Sequence, residues 1–140
     1  MNNFCPPKKC LVSACLIGLC TRYDGRSKPN IACKQQLASS FWIPVCPEQL
    51  GGLPTPRPAA RLVGGGGQEV LVGKARVINS MEEDVTSQFI KGAQETLALA
   101  RLHGASHAML KARSPSCGLL PLQGVTAALL LQHHIKIIQF

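Results

Sequence analysis

Four strand-length apolar runs constrain this chain more than any other feature. The first, Lys9 to Ile17, is nearly continuous, as expected of a strand buried on both faces in a parallel sheet. Phe41 to Cys46, Ala108 to Lys111 and Ile135 to Ile138 read as further core strands. Helical patterns fall between them. Asn30 to Ala38 reads as a short helix opened by Pro29 at its first position. Phe89, Ile90, Ala93, Leu97 and Ala100 recur at helical spacing, with N-cap candidates in Asp84-Val85-Thr86 and Gly104 as the residue that ends the helix. Val125 to His133 is a third helix, rich in Ala and Leu. This order predicts an α/β fold: an open, Rossmann-like sandwich with a mostly parallel sheet. At 140 residues it should form one domain, 1–140.

Two segments interrupt the alternation. Pro47 to Gly67 carries Pro47, Pro54, Pro56 and Pro58 with Gly51, Gly52 and Gly64 to Gly67, which predicts an irregular loop, functional or mobile. Glu69 to Gly73 and Lys74 to Asn79 read as a small β-hairpin about a Gly73-Lys74 turn, inserted at the domain edge.

Composition narrows the function classes. Hydrophobic residues at 46% and charged residues at 16% exclude a disordered chain. An aromatic share of 4% is too low for base-stacking platforms. The net charge of +8 favours anionic partners, but the cations are spread from Lys8 to Lys136 with no run of five, which counts against a dedicated nucleic-acid binder. No apolar stretch reaches the roughly 18 residues of a membrane span. Lys8-Lys9 followed by Leu11-Val12-Ser13-Ala14-Cys15 imitates a lipoprotein signal, but its apolar part is too short. A soluble, cytoplasmic monomer or homodimer is expected.

Seven cysteines without an export signal indicate a reducing compartment, where cysteine more often serves metal or catalysis than disulfides. Cys5, Cys10, Cys15 and Cys20 fall five apart, which matches neither zinc nor ferredoxin spacing. Position in the fold is more informative, because ligands of open α/β sheets collect beyond the carboxyl ends of the strands. Cys15 closes the first strand, Cys46 the second, and Cys117 follows the third, each with Gly or Pro close behind. Cys5, Cys10, Cys20 and Cys33 lack that setting and read as small hydrophobes. Three converging thiolates would leave one iron of a 4Fe-4S cluster without a protein ligand. They could equally hold zinc, with His103, His107, His133 or His134 as a fourth ligand, although the histidines read mainly as surface residues.

Seven strings then carry a resemblance in order along nearly the whole chain: Val12 to Gly18, Arg22-Tyr23-Asp24-Gly25, Pro44 to Glu48, Gly51 to Arg57, Glu83 to Thr86, Arg113-Ser114-Pro115-Ser116-Cys117-Gly118 and Gly124 to Leu129. Together they resemble the 2-thiouracil desulfidase family, long described as a domain of unknown function. The resemblance implies a 4Fe-4S cluster on Cys15, Cys46 and Cys117, and hydrolytic replacement of the thiocarbonyl sulfur of a thiolated pyrimidine by oxygen. Under it, Glu48 is the natural general base, and Ser114, ahead of Ser116, positions water or relays a proton. Asp24 and Arg57 would contact the pyrimidine edge, with Thr55-Pro56-Arg57 placed to act as a lid. Plainer roles remain open: a turn cap for Glu48, turn residues for Ser114 and Ser116, and a surface pair for Asp24 and Arg57.

Where the family pattern carries a longer glycine-rich insertion between Cys117-Gly118 and Gly124, only Leu119 to Gln123 remain. The shortening bears on substrate shape, solvent exclusion and turnover, while the cysteine trio and Glu48 stay. The rivals to a desulfidase are a non-catalytic carrier of the cluster or zinc, and an RNA-associated module acting on thiolated nucleotides.

Overall fold

A computed structural model describes residues 7–140; Cys5 lies outside them. Strand β1 (Lys8–Ser13) sits inside a four-stranded sheet of order β2-β1-β5-β6, with β2 (Ser40–Val45), β5 (His107–Leu110) and β6 (Lys136–Gln139). All three pairings are parallel, as expected. Side chains alternate across the pleat. Leu11, Ala108 and Leu110 pack on one face with Leu97 and Ala100 of α4 (Thr86–His103) and Leu130 of α5 (Val125–Gln132). Cys10, Val12 and Met109 face the other way, against Cys33 and Leu37 of α1 (Ile31–Leu37). Burial on both faces explains the unbroken apolar reading of β1.

Several boundaries differ from the sequence reading. The first run stops being a strand at Ser13, where the Ser13 hydroxyl accepts the Lys111 amide of the neighbouring chain segment. Ala14–Ile17 then wind into a 3-10 turn closed by Gly18 at φ 106°, so Cys15 lies just beyond the strand. Asn30, rather than Pro29, opens α1: its side chain accepts the Cys33 amide. β2 is an edge strand whose Phe41 and Trp42 are exposed, so it is not the buried strand expected. Its edge position accommodates Pro44.

The Pro/Gly-rich stretch is also more regular than expected. It holds the single-turn helix α2 (Pro47–Leu50), with Pro at N1, and β3 (Ala60–Val63). A hairpin-like pair exists, but β3 pairs antiparallel with β4 (Arg76–Asn79), while Gly67–Leu71 form helix α3. The Glu69 carboxylate accepts the Gly66 amide and so starts that helix. Val70 and Val77 bury this unit against Phe89 and Ala93 of α4.

Two glycines let α2 sit unusually close to α4. A Cβ at Gly51 would overlap the Gln88 carbonyl, and one at Gly92 would overlap the Pro47 carbonyl. Among the described residues no helix is long and apolar enough to cross a membrane.

Candidate active site

The strand order reverses at β1, with β2 on one side and β5 on the other, and the loops leaving the three strands meet there, as a switch point requires. They enclose a cavity of about 320 Å³ whose walls include Cys15, Cys46, Cys117, Glu48, Arg57, Ser114 and Ser116. Each cysteine has its own local reason to be there. Cys15 rides the 3-10 turn after β1, and Cys46 is the N-cap residue of α2. Cys117 lies in a turn knit by Ser114: the Ser114 hydroxyl accepts the amides of Ser116 and Cys117 at 3.2 and 3.1 Å, and its carbonyl accepts the Gly118 amide at 2.9 Å. A side chain at Gly118 or Gly124 would collide with this turn, which therefore packs backbone on backbone.

The thiols are held in electropositive or hydrogen-bonding surroundings. Burial pushes the Cys117 thiol up to about 12, against hydrogen bonds from Ser13 and Ser116 that favour the thiolate. Burial also raises Cys15, with the Lys111 cation opposing it and nearby Cys46 adding to it. Lys111 is in turn pulled below its usual value by its own burial, with Cys15 opposing. Without metal the buried Cys117 is thus a neutral thiol, and a metal would have to displace its proton.

Glu48 and its neighbours form one connected network. Glu48 Oε1 accepts Arg57 Nε at 3.0 Å, and Oε2 accepts the Ser116 hydroxyl at 3.0 Å. Ser114 Oγ, already accepting two amides, turns its hydrogen toward Ser116 Oγ at 3.0 Å. The hydroxyl chain therefore runs Ser114 to Ser116 to Glu48. Ser116, expected as the lesser partner, is the one in contact with the carboxylate, and it also reaches Cys117 Sγ at 3.7 Å.

The remaining site expectations divide. Arg57 is only 8% exposed and buried against Glu48, not paired with Asp24 at the surface. Asp24 is outside the cavity walls: its Oδ1 accepts the Arg26 amide and lies 3.7 Å from Arg22. The Thr55-Pro56-Arg57 strap is tied down, with Gln49 Nε2 and Arg57 both donating to Thr55 Oγ1. None of His103, His107, His133 and His134 lines the cavity. Cys10 of β1 and Cys33 of α1 are fully buried where that helix meets the sheet, whereas Cys20 is exposed rather than a core hydrophobe.

Sequence reasoning did not assign Ser13, Thr21, Arg22, Tyr23, Lys111 or Arg113 to the site, yet all of them line the cavity. Ser13 and Lys111 stand at the carboxyl ends of β1 and β5, where the same strand-end rule would have found them. Arg22 and Tyr23 follow the first cysteine, and the Arg22 guanidinium lies 5.9 Å from the Tyr23 ring centroid.

A model of 2-thiouracil desulfurase matches residues 10–139. The chain belongs to the 2-thiouracil desulfurase family. Among its relatives, the uncharacterized protein YbbK of Bacillus subtilis (strain 168) is 39% identical, over 91% of this chain and 93% of its own. Among solved structures, the 4Fe-4S-dependent thiouracil desulfidase TudS matches with a TM-score of 0.78 at 36% identity, covering 94% of this chain and 90% of that one.

The turn from Leu119 to Gln123 follows the last cysteine of the trio. It closes through the Gly124 amide on the Gly118 carbonyl, and the Gln123 carbonyl accepts the Gly67 amide, both at 2.7 Å. No residue of this turn lines the cavity, whose wall ends at Cys117.

The donor set is three thiols lining one cavity, soft donors of the kind that ligate iron-sulfur clusters. The hydroxyl and guanidinium donors aimed at the Cys117 and Cys46 sulfurs suit the anionic sulfur of such a centre.

Proposed function

We propose that this protein, acting as one unit over 1–140, is a 4Fe-4S-dependent desulfidase that exchanges the thiocarbonyl sulfur of 2-thiouracil-like bases for oxygen. The observation that carries this reading is the convergence of Cys15, Cys46, Cys117 and Glu48 on one cavity in a chain of this family. Cys15, Cys46 and Cys117 would hold the cluster, which when bound supplies an iron without a protein ligand and with affinity for sulfur.

The chain's own residues do the rest. The cavity of about 320 Å³ is the space that the cluster and a small heterocycle would share. Glu48, with one donor on each oxygen, keeps lone pairs free to accept a proton from an attacking water. Ser116 links that carboxylate to the Cys117 turn, its hydroxyl donating to Glu48 Oε2 at 3.0 Å and lying 3.7 Å from Cys117 Sγ, so it can relay a proton to and from Glu48. Ser114 fixes the Ser116 hydroxyl and the Cys117 amide together. The balance is simple: the C=S bond and two O–H bonds of water break, a C=O bond forms, and hydrosulfide and a proton leave. No electron is exchanged, so no reductant is needed.

The test is sulfide and uracil release from 2-thiouracil by anaerobically reconstituted protein. Glu48→Gln should lower kcat by about 100-fold or more, the range of general-base catalysis, while the brown cluster absorption stays. A wild-type protein that loads its cluster and yet releases no sulfide would overturn the reading, as would an unimpaired Glu48→Gln.

A further inference from the structure

Arg57 occupies the cavity wall, where a cation would ordinarily be assigned to the ligand. Its hydrogen bonds argue otherwise. A guanidinium carries five N–H donors in a fixed planar fork. Nε donates to Glu48 Oε1 at 3.0 Å. Nη1 donates to the Pro54 carbonyl at 3.2 Å and to Thr55 Oγ1 at 2.8 Å. Nη2 donates to the Thr21 carbonyl at 3.0 Å and reaches Cys46 Sγ at 3.9 Å. Every donor has a protein partner, so none remains for a pyrimidine.

The partners come from three separate stretches of chain: the loop after Cys15, the start of α2, and Pro54-Thr55 just before Arg57. The Arg57 amide adds a further tie to the loop after Cys15, at the Tyr23 carbonyl at 2.8 Å. Its side chain is 4% exposed and that of Glu48 13%, so this pair is largely withdrawn from water. A half-buried carboxylate held on one oxygen by the Arg57 Nε–H and on the other by the Ser116 hydroxyl is restrained in orientation from both sides.

We propose that Arg57 is a positioning residue for the reaction, acting through Glu48 by fixing the carboxylate's orientation, and that it makes no contact with substrate. The inference rests on the role given above to Glu48. Lysine keeps the charge but offers one ammonium in place of the fork, so it cannot hold the carboxylate and both strap acceptors together.

Two measurements test it. In the metal-free full-length protein labelled with 15N, the Arg57 Nε–H should give a resolved resonance whose solvent exchange is slowed at least about 100-fold relative to free arginine. That resonance should lose its protection in Glu48→Ala, which removes the acceptor oxygen. This arm needs no activity and no Arg57 variant, so a misfolded substitution cannot obscure it; exchange at the rate of free arginine overturns the clamp.

In reconstituted protein, Arg57→Lys should lower kcat at least about tenfold with KM for 2-thiouracil within about threefold, because only the transition state uses the oriented carboxylate. On a Glu48→Gln background it should add no further loss in kcat. A raised KM with kcat unchanged makes Arg57 a substrate contact and overturns the proposal. An Arg57→Lys protein with both constants unchanged overturns it too. A wild-type protein that releases no sulfide but keeps the protected Nε–H overturns the assignment of Glu48 and leaves the clamp in place.

Discussion

Gly92→Ala, a change of one methyl group outside the cavity walls, should disable the site. Gly92 lies in α4 with its Cα against the first turn of α2, and the added Cβ would overlap the Pro47 carbonyl oxygen, with the carbonyl carbon at 2.9 Å and the Gly51 nitrogen at 3.3 Å. All of these are backbone atoms, so no side chain can rotate away. Ordinary carbon contacts lie near 3.5–4.0 Å, so the two helices must part by roughly 1 Å. Overpacking of this kind costs up to about 3 kcal/mol, and alanine's better helix propensity returns about 1, leaving a net loss of about 2 kcal/mol. For a chain of this length that lowers Tm by about 8 °C. Pro47 is bonded to both Cys46 and Glu48, so both shift with it. A displacement of about 1 Å in a catalytic group costs about 100-fold in kcat. Thermal melts followed by circular dichroism and a sulfide-release assay measure the two effects, with exposed Gln94→Ala on the same helix as the control that should change neither. A Gly92→Ala protein with wild-type Tm and kcat within about twofold of wild type would refute the close-packing argument.

Two further outcomes follow from the same geometry. Ser114→Ala removes the acceptor of two backbone amides and should destabilise the fold by about 1–3 kcal/mol, whereas Ser116→Ala should be the milder change in urea melts but the more damaging to kcat, by about tenfold or more; the reverse ranking would contradict the directed hydroxyl chain. In the metal-free protein Cys117 is held up to about 12 against an ordinary value of 9.0, so the folded state binds that proton more tightly than the unfolded chain does. Stability from this source is intact below pH 9 and lost as pH climbs toward 12, with Cys15 acting in the same direction. Urea midpoints should therefore fall between pH 8 and pH 10.5 in wild type and fall less in Cys117→Ala; equal slopes would show that the buried thiol is not the source.

What could be read from the sequence was whatever one segment decides alone. The unbroken run at β1 gave a doubly covered strand, Gly104 gave the end of α4, and the strand-end rule selected Cys15, Cys46 and Cys117, which do line one cavity. Short elements were misread because five residues cannot separate a period of 2 from one of 3.6: Gly67–Leu71 is a helix, and the true partner of β4 is β3, inside the stretch expected to be irregular. Contacts between distant segments left no local trace. Arg57 looked like a surface or ligand-facing cation until the acceptors at Thr21, Glu48 and Pro54 were seen around it. The hydroxyl order placing Ser116 next to Glu48 depends on two amides satisfied by Ser114, which no spacing rule encodes.

Mössbauer spectroscopy of protein reconstituted anaerobically with 57Fe tests the central claim most directly. The account predicts four irons and four sulfides per chain, with one iron site distinct from the other three and shifting when 2-thiouracil is added. It also predicts that the cluster fails to assemble when Cys15, Cys46 or Cys117 is replaced by serine. A single bound metal ion per chain, or four irons indifferent to 2-thiouracil, would contradict it.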